Sequence, residues 1–380
     1  METSDYNIIL INLDGFRKDK IELCQNLRKF RDDCLYFPNM FTAAPYTFAS
    51  LASIFSGMYP SKNGVNGYYN LFQFKEQITT LPQILKNSSY FTSCDVIDAA
   101  VVPKSGFDEI NVFDEKTVDF KSRHEDLIKR LSKKEKFFLF LHFSETHRHL
   151  VDAVIQKYKQ EDNDDEYFNS RKENEERYNS YLPSCDNYVL SIMSALKKNG
   201  IKEKTILIFF ADHGTSIGEK RGEKFYGVFT YDYTLNVFCM LKIPNFETKI
   251  IDKQCRTIDL YPTIAELAGA TIKKEKIGFQ GESLIQFLND PAADNREVFA
   301  ETGGLYGPWP SPEKHNIFCV RIDNKKLIYN DTPQTWEFYN LAIDSDEENN
   351  IYDESNEDVK KMKNRLLFYL NENEIKTNIN

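Results

Sequence analysis

Four runs of seven or eight residues in this chain are apolar almost throughout and lack the alternation of a half-exposed strand. They are Asn7–Leu13, Phe137–Phe143, Thr205–Ala211 and Asn236–Ile243. Runs of that length without a period of two are expected of strands covered on both faces, as in a mostly parallel sheet. Between them the apolar positions recur at helical spacing, at Phe48–Ser56, Thr80–Asn87, Glu125–Lys133, Tyr188–Lys198 and Leu260–Ala268. This alternation predicts an α/β fold, a mostly parallel central sheet sandwiched by helices. Past the turn-rich stretch Asn289–Asn295 the pattern changes to short strands at Val298–Glu301, Phe318–Ile322, Lys326–Tyr329 and Glu337–Leu341, then a helix near Glu357–Leu370. The expectation is a catalytic unit over 1–290 and a small C-terminal α+β subdomain over 291–380. Gln156–Tyr181, dense in charged residues, reads as an exposed helical excursion or a flap.

The chain has 380 residues, 41% of them hydrophobic, enough for a large core. With 48 basic and 58 acidic residues its formal charge is −10, which argues against a broad nucleic-acid-binding face. No run approaches the ~20 apolar residues of a membrane span. The seven cysteines are scattered, without a paired spacing, and are expected to be reduced and buried. With no leader-like segment before the first strand, these features suggest a cytoplasmic protein.

The chemistry gathers where strands end. In open α/β sheets ligands collect at the carboxyl ends of the strands. There the chain places Asp14, the segment His142–His149, and Asp212–His213 followed by Gly214. Adjacent Asp and His offer a hard oxygen and a borderline nitrogen to one cation, and Gly214 permits a sharp turn. Thr47 opens a helix of small residues. A threonine there is commonly a cap, but a helix N-terminus is also an anion site, and a cation can make the hydroxyl a nucleophile. His142, inside an apolar strand, reads as a core histidine.

The ordered set LDGFR (13–17), TFASLASIFSG (47–57), Met58–Val65, Leu139–His147, ADHGTSIGEK (211–220), YDYTLNV (231–237), RTIDLYPTIAELAG (256–269), GESL (281–284) and the tail at 336–350 resembles the sulfatase-like branch of the alkaline phosphatase superfamily along nearly the whole chain. The resemblance implies one divalent metal on Asp14, Thr47, Asp212 and His213, with Thr47 as nucleophile. Zn or Mn suits that donor set best, with Ca or Mg as alternatives. His147 corresponds to the histidine of the family's D-P-H loop and is the candidate general acid. Lys220, Asn66, Arg17 and Tyr226 are candidates for substrate binding, and Glu145 with His149 for a second metal.

The departures bear on the activity. Sulfatases of this family convert a Cys or Ser to formylglycine within a motif carrying Pro two residues on and Arg four residues on; here the three positions are Thr47, Ala49 and Leu51. A threonine cannot yield that aldehyde. The expected function is therefore hydrolysis or transfer at a phosphomono- or diester through a phospho-Thr47 intermediate, as in the Thr-nucleophile phosphodiesterases and the phosphoglycerol or phosphoethanolamine transferases. The alternatives are a sulfuric ester hydrolase and a degenerate binding protein. The expected partner is a small anionic phosphoester, with a glycan or lipid head group as a candidate alcohol portion. Its pocket would come from Leu71–Thr79, Gln156–Tyr181 and Leu305–Lys314.

Overall fold

A computed structural model describes residues 3–66, 75, 77–146, 164–290, 292–303 and 316–379. Nine strands form the main sheet: β1 (Asn7–Leu13), β2 (Leu35–Phe41), β3 (Phe91–Val96), β4 (Glu109–Val112), β5 (Phe137–Phe143), β6 (Thr205–Phe210), β7 (Asn236–Lys242) and the two-residue β8 (Lys249–Ile250) and β9 (Cys255–Arg256). Their order is β4-β3-β5-β1-β6-β7-β2-β8, with β9 beside β2. From β4 to β6 every pairing is parallel; β7 runs antiparallel to both of its neighbours.

The four apolar runs are indeed strands, and in β1, β5 and β6 every residue is buried. β2 and β4 were not anticipated, and of β3 only a strand-like run at Cys94 was. Each is half polar or interrupted: Pro38 lies within β2, Thr92, Ser93 and Asp95 lie in β3, and β4 is only partly covered. Pro and polar residues are tolerated toward the margins of a sheet, where one side of the ladder or one face is open.

β1 is central, flanked by β5 and β6. Asn12 is in register with His142 on one side and Phe210 on the other. The carboxyl ends of the three strands therefore emerge side by side, carrying Asp14, Ser144 and Asp212. Helices Phe120–Leu131 and Leu182–Lys198 and helices Thr47–Ser56 and Leu260–Leu267 supply buried faces to the core around this sheet.

A second, antiparallel sheet has the order β10 (Val298–Thr302), β11 (Ile317–Ile322), β12 (Lys325–Asn330), β13 (Thr335–Asn340). The helix Glu357–Glu372 packs on it through Val359, Met362, Leu366 and Tyr369, in a cluster that also takes in Tyr59 and Ile258 of the larger unit. Lys326, fully buried in β12, ties the units together by pairing with Asp232 at 2.7 Å and Glu347 at 2.8 Å. All seven cysteines are buried and free. Among the described residues no helix is long and apolar enough to cross a membrane.

The segment expected to be a solvated excursion is anchored where it is described. Residues 156–163 lie outside the described residues. The helices Asp164–Asn169 and Arg171–Asn179 bury Tyr167 and Tyr178, and the Tyr178 hydroxyl accepts from the Arg17 N–H at 2.8 Å and donates to the Gly15 carbonyl. The excursion is a brace for the loop after β1.

Candidate metal and nucleophile site

Asp14, Asp212 and His213 converge at the ends of β1 and β6, with one ligand atom of each within 4.8 Å of the others. All three are buried. Local backbone contacts fix the loops: Asp14 N–H donates to the Phe143 carbonyl at 3.0 Å, and Asp212 N–H donates to the Asn12 side-chain oxygen at 3.0 Å. Asp212 Oδ1 accepts from the N–H groups of His213 and, at 3.4 Å, Gly15. Its other oxygen, Oδ2, is buried and accepts no hydrogen bond from the described residues. A buried carboxylate oxygen without a donor is costly unless a cation supplies the missing charge.

The imidazole of His213 is oriented for the same role. Nδ1 lies 2.7 Å from the Gly214 carbonyl oxygen, which can only accept, so Nδ1 carries the proton and Nε2 presents a lone pair. Nε2 is 3.5 Å from Asp14 Oδ1, 3.7 Å from Asp212 Oδ2 and 3.2 Å from Thr47 Oγ1. Two carboxylates, an imidazole nitrogen and a hydroxyl are a donor set that fits a divalent cation. Burial first, and the nearby charge of Asp14 second, push the Asp212 carboxyl above its ordinary range.

Thr47 does not cap its helix. The N-cap is Tyr46, in extended conformation, whose side chain does not cap the helix, and Thr47 is the first helical residue. Its hydroxyl is thereby left to face His213, beside the free N–H groups of the first turn. Ser50, one turn further, locks the helix to the metal loop: its hydroxyl donates to the Asp212 carbonyl at 2.8 Å and contacts Thr42 at 2.9 Å.

Gly214 is required for a different reason than a turn. A Cβ placed there would lie 2.2 Å from the Tyr233 carbonyl oxygen, and the Gly214 N–H donates to the Thr234 carbonyl at 2.8 Å. Gly15 does adopt the left-handed conformation, with φ 67°.

His142 is more than a core histidine. Its Nε2 is 2.7 Å from Asp14 Oδ2. Asn12, Ser50 and His142 all support the ligands, and sequence reading had given none of them that role. For Asn12 and His142 the available signal was a polar residue near the carboxyl end of an otherwise apolar strand.

The remaining candidates separate. The Tyr226 ring lies 4.5 Å, centroid to centroid, from the His213 ring, at the site. Arg17 is placed away from a substrate role: its guanidinium is held by Glu219 at 2.5 Å, by Asp19 at 3.0 Å and by the Thr215 carbonyl at 2.8 Å. It joins the loop after β1 to the loop after β6. Lys220 turns to the C-terminal unit, donating to the Glu347 carbonyl with its ammonium 4.6 Å from the Tyr231 ring centroid. The Asn66 backbone oxygen lies beside Gly303 at the end of β10. Glu145 follows β5 near enough to Cys185 for its charge to be felt by that thiol. His147 and His149 lie outside the described residues.

This fold and site define a class. The family model for sulfatases matches residues 6–270, and that for the C-terminal region of N-sulphoglucosamine sulphohydrolase matches residues 220–373. The chain belongs to the sulfatase family. It is 28% identical to a sulfatase of Formosa agariphila over 53% of this chain and 41% of that one, and 27% identical to an arylsulfatase of Volvox carteri over 50% and 33%. The matched region is thus well under two thirds of either relative. Among solved structures, a 2-O GAG sulfatase superposes with TM-score 0.78 at 17% identity, covering 99% of this chain and 95% of that one. A phosphonate monoester hydrolase from Silicibacter pomeroyi gives 0.75 at 14%, covering 97% and 96%. The family match and the sequence relatives fit the sulfuric ester alternative better than the phosphoester expectation.

Proposed function

We propose that the chain is a metal-dependent ester hydrolase of the sulfatase family whose attacking group is the Thr47 hydroxyl, acting on an ester of a tetrahedral oxyanion acid. The observation that carries this reading is the Thr47 hydroxyl, 3.2 Å from His213 Nε2 and beside the Asp14–Asp212–His213 set, at a helix N-terminus. A divalent cation on those three residues, Zn or Mn by their chemistry, would offset the two carboxylates and lower the pKa of a bound hydroxyl. The chain's own groups do the rest. Asp14 and Asp212 hold the acidic cradle, Ser50 holds the helix against it, and the first-turn N–H groups favour the charge on the non-bridging oxygens. In the attack, Thr47 Oγ1 gives up its proton to solvent and its bond to the central atom forms as the bond to the alcohol oxygen breaks; the alcohol leaves with a proton, for which His147 is the candidate donor. Water then cleaves the Thr47 ester and restores the hydroxyl.

Sulfuric esters are the first substrate class, because the named relatives are sulfatases. Phosphate esters are a second reading, favoured by the side chain of Thr47, which cannot be converted to the aldehyde of formylglycine sulfatases. Turnover of 4-nitrophenyl sulfate and bis(4-nitrophenyl) phosphate, measured side by side on metal-loaded protein, separates the two. On the preferred ester, Thr47→Ala is expected to lose roughly a thousand-fold in kcat. Unchanged turnover by that variant would remove Thr47 from the reaction.

A further inference from the structure

A cavity of about 420 Å³ opens along the helix Thr47–Ser56, on the face that begins one residue after Thr47. Phe48 and Ala52, one turn apart, form one wall; Val65, Ile78 and Val101–Pro103 form others. Phe48 and Tyr226 pack against the same small apolar cluster of Tyr46, Ala49, Ala52 and Val65, and Tyr226 lies against His213. The cavity therefore lies beside the reaction site, its wall residue Phe48 next in the chain to Thr47 and sharing that cluster with Tyr226. Its size is in the range of small-ligand pockets.

Its chemistry is selective. Of the eleven described lining residues, eight are apolar and only Lys75, Lys104 and Ser105 bring polar side chains. A polyhydroxylated sugar ring buried here would leave most of its hydroxyls without partners, at a cost for each. An aromatic or alkyl body would not. Both lysines are exposed, and among the described residues neither forms an ion pair. In a chain of net charge −10, two such cations at an apolar cavity are a local attraction for a negative charge.

Resting on the ester-hydrolase reading above, we propose that the alcohol portion of the substrate is an apolar ring or alkyl body that carries a second anionic group, and not a sugar. Phe48, Ala52, Val65 and Val102 receive the body, and Lys75 and Lys104 meet the distal charge.

Binding is measured by titration calorimetry, which needs no turnover. The probes are naphthalene-1,5-disulfonate, naphthalene-1-sulfonate and glucose 6-sulfate, added to metal-loaded protein. The disulfonate is expected to bind at least ten-fold more tightly than the sugar ester. Lys75→Glu combined with Lys104→Glu, both at exposed positions, should bring the disulfonate to the affinity of the monosulfonate. Ala52→Leu, which fills the cavity from its wall, should weaken both naphthalene probes at least ten-fold, with a melting curve to confirm folding. Equal or tighter binding of glucose 6-sulfate, or naphthalene affinities unmoved in the lysine variant, would overturn the proposal. Failure of the catalytic reading looks different: the naphthalene probes bind as described, while no sulfate or phosphate ester is turned over.

Discussion

His142 Nε2 stands 2.7 Å from Asp14 Oδ2, and this buried contact joins β5 to the acid that closes β1. Burial opposes a charge on His142, but the hydrogen bond and charge of Asp14, with the charges of Asp212 and Glu115, hold the imidazole above its ordinary pKa. The contact fixes one oxygen of Asp14 and leaves the other turned to His213. Partners of this kind orient metal ligands and are typically worth a factor of about 10 to 100 in affinity. His142→Phe keeps the ring volume beside Phe140 and Phe113 but removes the hydrogen bond. Metal affinity, measured by competition with a chelating dye, should fall by roughly that factor, while the circular dichroism spectrum stays unchanged. Affinity equal to that of the native chain would confine His142 to packing.

Asp212 and Asp14 are like charges held together in a buried place, an arrangement that destabilises the protein until a cation arrives. Asp212→Asn retains an oxygen for the N–H groups of His213 and Gly15 and removes one of the two charges. Without metal, the variant should be more stable than the native chain, by about 1 kcal/mol. The native chain should gain about 3 kcal/mol from metal at a hundred times its dissociation constant, and the variant should gain almost none. Melting temperatures with metal and with chelator give both numbers. A metal-free variant less stable than the native chain would mean that Asp212 has a structural role beyond the cation.

Much of this arrangement was legible in the sequence because it rests on strand ends. A fully apolar run can only be a covered strand or a covered helix, and Asp14 and Asp212 mark where two such runs stop. Adjacency was not legible: nothing along the chain states that β5 and β6 both pair with β1, which is what brings His142 and Asp212 to Asp14. Arg17 was misplaced for a related reason. A basic residue three positions after a metal-type acid suggests a phosphate contact, yet Glu219, two hundred residues away, takes its guanidinium. The polar strand β4 was missed, and β3 was read only as a strand-like run at Cys94, because Thr92, Ser93 and Asp95 break the apolar run that betrays a strand, and their partners Asp108, Arg123 and His124 come from later in the chain.

Gly214 offers a test of backbone packing at the site. Its Cα rests against the Tyr233 carbonyl, and a methyl group there would meet that oxygen at 2.2 Å, a distance at which backbone must move. Gly214→Ala should therefore cost about 1–3 kcal/mol, read as a lowered urea midpoint. Because the displaced strand end carries His213, metal affinity should fall as well. A variant with native stability would show that the loop after β6 yields at no cost.

Glu223 makes the pH dependence testable apart from the metal ligands. It is fully buried, with Oε1 accepting from Val228 and Phe229 N–H and Oε2 from the Tyr233 hydroxyl at 2.6 Å. Burial outweighs these donors and pushes its carboxyl up to about 7 from an ordinary value of 4.5. The unfolded chain gives up this proton more readily than the folded one. The stability contributed by the protonated form is therefore full below pH 4.5 and is lost as the pH rises through about 7. The loss amounts to about 3 kcal/mol. Glu223→Gln holds the neutral form at every pH, so the difference in unfolding free energy between variant and native chain should grow in the variant's favour from pH 5 to pH 8. A difference that stays constant across that interval would mean that Glu223 is already ionised in the folded protein at pH 5, its charge carried by Tyr233 and the two amides.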